Sequence, residues 1–150
     1  MLILVTGATG FIGLSLCKRA STEGWQVRAG VRSIKSENNL PEEVTAVEIR
    51  SIDSNTDWSD ALAGVDTVVH LAARVHIMKE ASGDSLTEYR KVNTEGTARL
   101  ARMAADAGVK RFIFLSTVKV NGEETEKHQF TERDTPNPHD DYSTSKWEAE

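Results

Sequence analysis

The chain has 150 residues, 39% hydrophobic and 27% charged, with 18 Lys and Arg against 23 Asp and Glu for a formal net charge of −5. This is one domain's worth of sequence, apolar enough for a packed core and unlike a disordered chain. The acidic balance speaks against nucleic acid as a partner, which needs a basic footprint, and leaves room only for a local anion site.

A single cysteine, Cys17, allows no intrachain disulfide and suits a reducing cytoplasm; its expected place is the core, as a small hydrophobe. The first apolar run, residues 2–5, is too short for a secretory signal and lacks a basic start. No stretch approaches the ~20 apolar residues that a spanning helix needs. The expectation is a cytoplasmic protein with no membrane partner.

In chain order, "LILV" (2–5) reads as a buried strand and "FIGLSLCKRASTE" (11–23) as a helix stopped by Gly24. "QVRAGV" (26–31) is a second strand and "VTAVEI" (44–49) a third, with β-branched residues and alternation. A short helix is expected over 56–64, and a fully buried strand over 66–73. The longest helical pattern is 84–107. Leu86, Tyr89, Val92, Gly96, Leu100, Met103 and Ala107 recur every three or four residues on one face, and Gly108 closes it. "RFIFLS" (111–116) is another buried strand. Residues 121–141, with Gly122, Pro136 and Pro138, read as a polar surface loop. A last helix begins at Tyr142 and runs to Glu150 with no stop signal, which predicts that the chain is part of a longer one. The β-α-β-α order predicts an α/β fold with a doubly wound parallel sheet, helices on both faces and right-handed crossovers.

"GATGFIG" (7–13) follows the first strand and opens the first helix. In that context the weak motif reads as a dinucleotide site rather than an ordinary tight turn, because helix N-termini offer unpaired amides and a positive dipole end. Gly7 would make the tight turn, Gly10 the close approach to the pyrophosphate, and Gly13 the close helix–strand packing. Thr9, Phe11 and Ile12 complete the expected cofactor-binding set at this turn. An Asp or Glu ~20 residues on would accept from the ribose 2′-hydroxyl of NAD. "GVRS" (30–33) holds no acid. Arg32 either pairs with the 2′-phosphate of NADP or is a solvated strand-end charge, and the first reading makes NADP(H) the favoured form of NAD(P).

"YSTSK" sets Tyr142 and Lys146 at i and i+4, on one helical face. A phenol has an unperturbed pKa of ~10, and a nearby ammonium is expected to lower it. Such a pair can take a proton from an alcohol or return one to a ketone. "LSTVKVNG" (115–122) follows the strand over 111–116, where a hydroxyl would face the ligand crevice. Ser116 and Thr117 are both candidates to hydrogen-bond a substrate oxygen.

Taken together, "GATGFIG", "VVHLAA", "VNTEGT", "STVKVNG" and "YSTSK" resemble, in this order, the extended short-chain dehydrogenase/reductase family across essentially the whole chain. "TDW", "HLAARVHIM" and "YSTSKWEAE" are most similar to its nucleotide-sugar epimerases and 4-keto reductases of surface-polysaccharide pathways. The resemblance implies a Rossmann fold truncated before the C-terminal substrate region, in a protein about twice as long. It implies Tyr142 as acid/base, Lys146 as its partner and nicotinamide-ribose ligand, and Thr117 as the catalytic hydroxyl, with Ser116 the weaker candidate. Leu71, Ala72 and Ala73 fall in the family's cofactor stretch after the fourth strand, and Asn93 matches its structural, cofactor-proximal Asn. His70 is expected to be packed rather than catalytic.

Three departures stand out. Where many relatives read Gly-Asp, this chain has Arg50-Ser51 before Ile52, so Ser51 and Ile52 inherit the adenine position with a weaker partner. Asn121 replaces the usual Tyr before Gly122, and Ser143 replaces a frequent Gly after the catalytic Tyr. The implied reaction is hydride transfer at C4 of a UDP- or dTDP-linked sugar, by an epimerase or a 4-keto reductase. The alternatives are a non-catalytic nucleotide sensor and a cofactor-binding fragment inactive alone. A homodimer through the helices over 84–107 and from Tyr142 is also implied.

Overall fold

The computed structural model describes residues 1–34, 39–75, 84–125 and 128–150. Five strands, β1 (Leu2–Thr6), β2 (Gln26–Val31), β3 (Thr45–Glu48), β4 (Thr67–His70) and β5 (Arg111–Phe114), form one sheet in the order β3-β2-β1-β4-β5. Every pairing is parallel, with Thr6 opposite both Gly30 and His70. The order reverses between β1 and β4, so a crevice opens at the strands' carboxyl ends at that point. Parallel neighbours need crossovers: α1 (Phe11–Thr22) links β1 to β2, α2 (Ser59–Leu62) lies between β3 and β4, and α3 (Ser85–Tyr89), a π-helical turn (Arg90–Gly96) and α4 (Thr97–Asp106) lie between β4 and β5, while α5 (Asp141–Trp147) follows β5.

The two-residue period of β1 divides the core. Ile3 and Val5 join Cys17, Ala20, Val27 and Val31 on the α1 side, while Leu4 joins Trp58, Leu62, Val68 and Leu100 under α2 and α4. Each fully buried Ile, Leu or Val among them contributes about 1.5–3 kcal/mol. Cys17 has no exposed surface, and burial pushes its thiol up to about 11, so it is core, as expected.

The elements differ from expectation mainly at their ends. The strand expected over 66–73 stops at His70, because the amides of Leu71 and Ala72 turn to Thr6 Oγ1, both at 3.2 Å. The strand over 111–116 stops at Phe114, and Thr117 instead caps a 3₁₀ turn, Val118–Val120. The short helix over 56–64 contracts to Ser59–Leu62. The last helix does not run to the chain end: it spans Asp141–Trp147 and Glu148 caps it. The helix over 84–107 is present but contains the π turn. Residues 76–78 of "HLAARVHIM" and residues 126–127 of the expected loop lie outside the described residues.

Candidate cofactor and acid–base site

The crevice has a glycine wall and a tyrosine wall. On the first, Gly7 adopts φ +66°, and a Cβ there would stand 2.9 Å from the Ala72 amide nitrogen. Gly10 donates to the Gly7 carbonyl at 3.0 Å and caps α1 with no side-chain hydrogen bond. Helix geometry gives the amides of Phe11, Ile12 and Gly13 no upstream carbonyl inside α1. A Cβ on Gly13 would clash with the Gly7 carbonyl oxygen and lie 2.7 Å from Ala8 Cα. Absence of that carbon is what lets α1 start against the turn. Thr9 and Gly10 are exposed, and Phe11 is 91% exposed at the mouth with Ile12 half-exposed beside it.

Arg32 is exposed one residue beyond β2, and the register with β1 sets it near the glycine turn. Ser51 is exposed on the next exit, and its carbonyl accepts from Thr56 Oγ1 at 3.0 Å. A groove of about 510 Å³ opens there, lined by Arg50, Ser51, Asp53 and Asn55 among others. Ile52 turns inward and packs against the α2–α4 core.

Behind the crevice lies a buried polar relay. Thr97 gives its hydroxyl proton to the Asn93 carbonyl at 2.6 Å, so His70 Nε2 donates to Thr97 Oγ1 at 3.0 Å. Nδ1 is then an acceptor, filled by the Thr6 hydroxyl at 2.6 Å. Burial, with the Lys146 charge behind it, holds this imidazole down to about 3, so it is a neutral structural group. Asn93, 1% exposed, spends its amide on Arg74 N (2.8 Å), Arg74 O (3.1 Å) and Ser145 Oγ (2.9 Å). It ties the half-buried segment holding Leu71, Ala72 and Ala73 to α5.

The tyrosine wall is built by α5. Asp140 caps it: Oδ1 accepts the Ser143 amide at 2.6 Å, and Ser143 Oγ takes the Asp140 amide at 3.1 Å. The departure at Ser143 therefore closes a reciprocal capping box that a glycine could not. Asn121 anchors the following loop through the Thr131 carbonyl at 3.2 Å. Tyr142 packs edge-on to Tyr89, centroids 6.2 Å apart. Lys146 is 2% exposed, its ammonium 3.9 Å from the centre of the Phe114 ring. Thr117 Oγ1 accepts the Lys119 amide at 3.3 Å, while Ser116 bonds the Glu150 carboxylate. So the structure brings Thr117, Tyr142 and Lys146 to the β5 end of the crevice, with Ser116 turned to the chain end.

One electrostatic expectation is corrected. The Tyr142 phenol is raised, not lowered: burial raises it first, then Asp140, and the cation that opposes them is Lys119 rather than Lys146. Lys146 is itself held down to about 8 by burial, against its ordinary 10.5. Between those values the unfolded chain binds the proton and the folded chain does not, so stability rises with pH across that window. Lys146→Met removes this linkage. The variant is expected to be more stable than wild type at pH 7, with the advantage shrinking from pH 8 upward, as read from urea midpoints. An advantage that stays constant through that window would contradict the assignment.

The chain is 43% identical over 151 residues to a UDP-glucose 4-epimerase of Vibrio cholerae, covering 99% of this chain and 44% of that protein. It is 34% identical to an N-acetyl-alpha-D-glucosaminyl-diphospho-ditrans,octacis-undecaprenol 4-epimerase of Escherichia coli O157:H7, covering 99% of this chain and 41% of that one. The crystal structure of UDP-glucuronic acid 4-epimerase from Bacillus cereus in complex with NAD superposes with a TM-score of 0.81 at 28% identity, covering 99% of this chain and 50% of that one. The chain thus spans half or less of the length of these relatives. With a family model matching residues 3–150, the chain belongs to the NAD dependent epimerase/dehydratase family.

Proposed function

We propose that this chain is the cofactor-binding, acid–base half of a nucleotide-sugar 4-epimerase or 4-keto reductase. The observation that carries the reading is α5, whose buried Lys146 lies over Phe114 at the carboxyl end of β5, on the side of the sheet from which the glycine turn leaves β1. The residues fit a nicotinamide dinucleotide. Gly7, Gly10 and Gly13 leave a Cβ-free cradle at a helix start, and the buried Lys146 ammonium stands over the Phe114 ring, with the Glu150 charge also acting on it. Thr9, Phe11 and Ile12 would flank the pyrophosphate, Ser51 and Ile52 the adenine side, and Leu71 to Ala73 the middle, with Asn93 bracing them. Arg32, in place of an acid, supports recognition of a 2′-phosphate and so of NADP(H). The bound cofactor supplies two-electron oxidation and reduction at the sugar C4 carbon.

The chain's own residues handle the proton. Tyr142 takes it from the C4 hydroxyl, or returns it to the 4-keto oxygen. Thr117 donates a hydrogen bond to that oxygen and fixes its position. Lys146 binds the nicotinamide ribose, and its charge then favours the phenolate that the free phenol resists. The relatives' names support UDP-linked sugars as substrate, and a homodimer through α4 and α5 is part of the same reading. The test needs a protein of the relatives' length with this chain as its N-terminal half. Supplied with UDP-glucose or UDP-galactose, an epimerase interconverts them with no net cofactor use. A reductase consumes NADPH with a 4-keto sugar, mole for mole. Neither reaction, with the dinucleotide bound, would sink this reading in favour of a nucleotide sensor.

A further inference from the structure

Lys119 lies in the 3₁₀ turn that Thr117 caps. Its ammonium reaches Asp140 Oδ2 at 2.5 Å and Glu123 Oε1 at 3.6 Å. Asp140 is the N-cap of α5, two residues before Tyr142, and its other oxygen holds the Ser143 amide. One carboxylate therefore grips two elements, α5 through the cap and the Thr117 turn through the ion pair. Burial pushes this carboxyl up, yet the hydrogen bonds from Lys119 and Ser143 outweigh it and hold it down to about 2. The lysine and aspartate side chains are 39% and 36% exposed, so the pair contributes little to stability as such. Its effect is on position and on local charge.

We propose that the Lys119–Asp140 pair is a clamp that seats the Thr117 turn on the tyrosine helix and sets the charge the Tyr142 phenol meets, making both positioning residues of the site. The inference rests on the acid–base reading of Tyr142. Several groups surround that phenol. Lys119 comes from the 3₁₀ turn with Glu123 behind it, Asp140 from the cap, and Tyr89 from α3 with the Arg74 guanidinium over its ring. On α5 itself stand Asp141 and Lys146, and Glu148 is held by Arg90. Asp140 and Tyr89 oppose the phenolate, whereas Lys119 favours it. Removing either partner of the clamp should therefore move Tyr142 in opposite directions.

The chain has two tyrosines, so in a Tyr89→Phe background the near-ultraviolet phenolate absorbance reports Tyr142 alone. Lys119→Met is expected to raise the midpoint by roughly half a pH unit, and Asp140→Asn to lower it by a similar amount. Asn caps helices about as well as Asp, so α5 should stay folded. Lys119→Arg should keep the wild-type midpoint. A purely structural pair would act differently: loosening it from either side hydrates the phenol and lowers both midpoints. Shifts in the same direction, or none, would overturn the clamp. In a protein of the relatives' length the same variants should move the Tyr142 limb of the kcat pH profile in the same opposite senses. If the absorbance midpoints shift as expected and that limb does not, the clamp stands and the acid–base reading fails.

Discussion

Tyr142→Phe, in a protein of the relatives' length, is expected to lower kcat by about 10²–10⁴-fold and leave dinucleotide affinity unchanged. The substitution removes one oxygen. The ring stays, and with it the edge-on packing against Tyr89 at 6.2 Å, so the crevice keeps its shape. What disappears is the phenol proposed to exchange a proton with the sugar oxygen. The loss should fall on kcat, and KM should move little, because the hydroxyl acts while the proton is in transfer. A variant that turns over normally would remove Tyr142 from the mechanism and shift the proposed role to another group, with Thr117 the first candidate.

Gly13→Ala should have the largest effect on binding. Its new carbon would meet the Gly7 carbonyl oxygen, Ala8 Cα at 2.7 Å and Ala8 C at 2.9 Å. All three are backbone atoms of the turn, so relief requires that the turn open. Overpacking of this kind destabilises by about 1–3 kcal/mol. Dinucleotide affinity should fall at least about tenfold, or ~1.4 kcal/mol, because the amides aimed at the pyrophosphate move with the turn. Gly24→Ala is the control. Gly24 also has a left-handed backbone, φ +74°, but open space around it, so its substitution should cost about 1–2 kcal/mol of stability and leave affinity intact. Equal affinity losses at both positions would show that general destabilisation, and not the cradle, controls binding.

These expectations came in part from local sequence. The strand–glycine–helix entry, the two-residue period of β1 and the i, i+4 pair on α5 depend on near neighbours, and such patterns can be read along a chain. The π turn could not be read this way. Leu86 to Ala107 keep a helical period through it, while the contacts at this turn are distant in sequence: a Cβ on Gly96 would stand 2.5 Å from Ile52 Cγ2, and Asn93 bonds both Arg74 and Ser145. The Thr6–His70–Thr97 relay is likewise long-range, joining strands and helix that the sequence separates widely. Tyr142's environment was misjudged for the same reason. Helical spacing made Lys146 the obvious cation, but Lys146 lies against Phe114 and the cation acting on the phenol is Lys119, from another element. A local signal for part of this did exist, since Asp140 directly before a helix is an N-cap pattern. Nothing local to Lys119 pointed to its partner.

The glycine turn of this chain is proposed to hold a nicotinamide dinucleotide. Calorimetric titration of the 150-residue chain with NAD and with NADP in parallel tests it most directly. The expected result is saturable one-to-one binding that Gly13→Ala weakens at least about tenfold, tighter for NADP if Arg32 reads the 2′-phosphate and tighter for NAD if Arg32 is a solvated charge. No binding of either dinucleotide by a chain that melts cooperatively would contradict it.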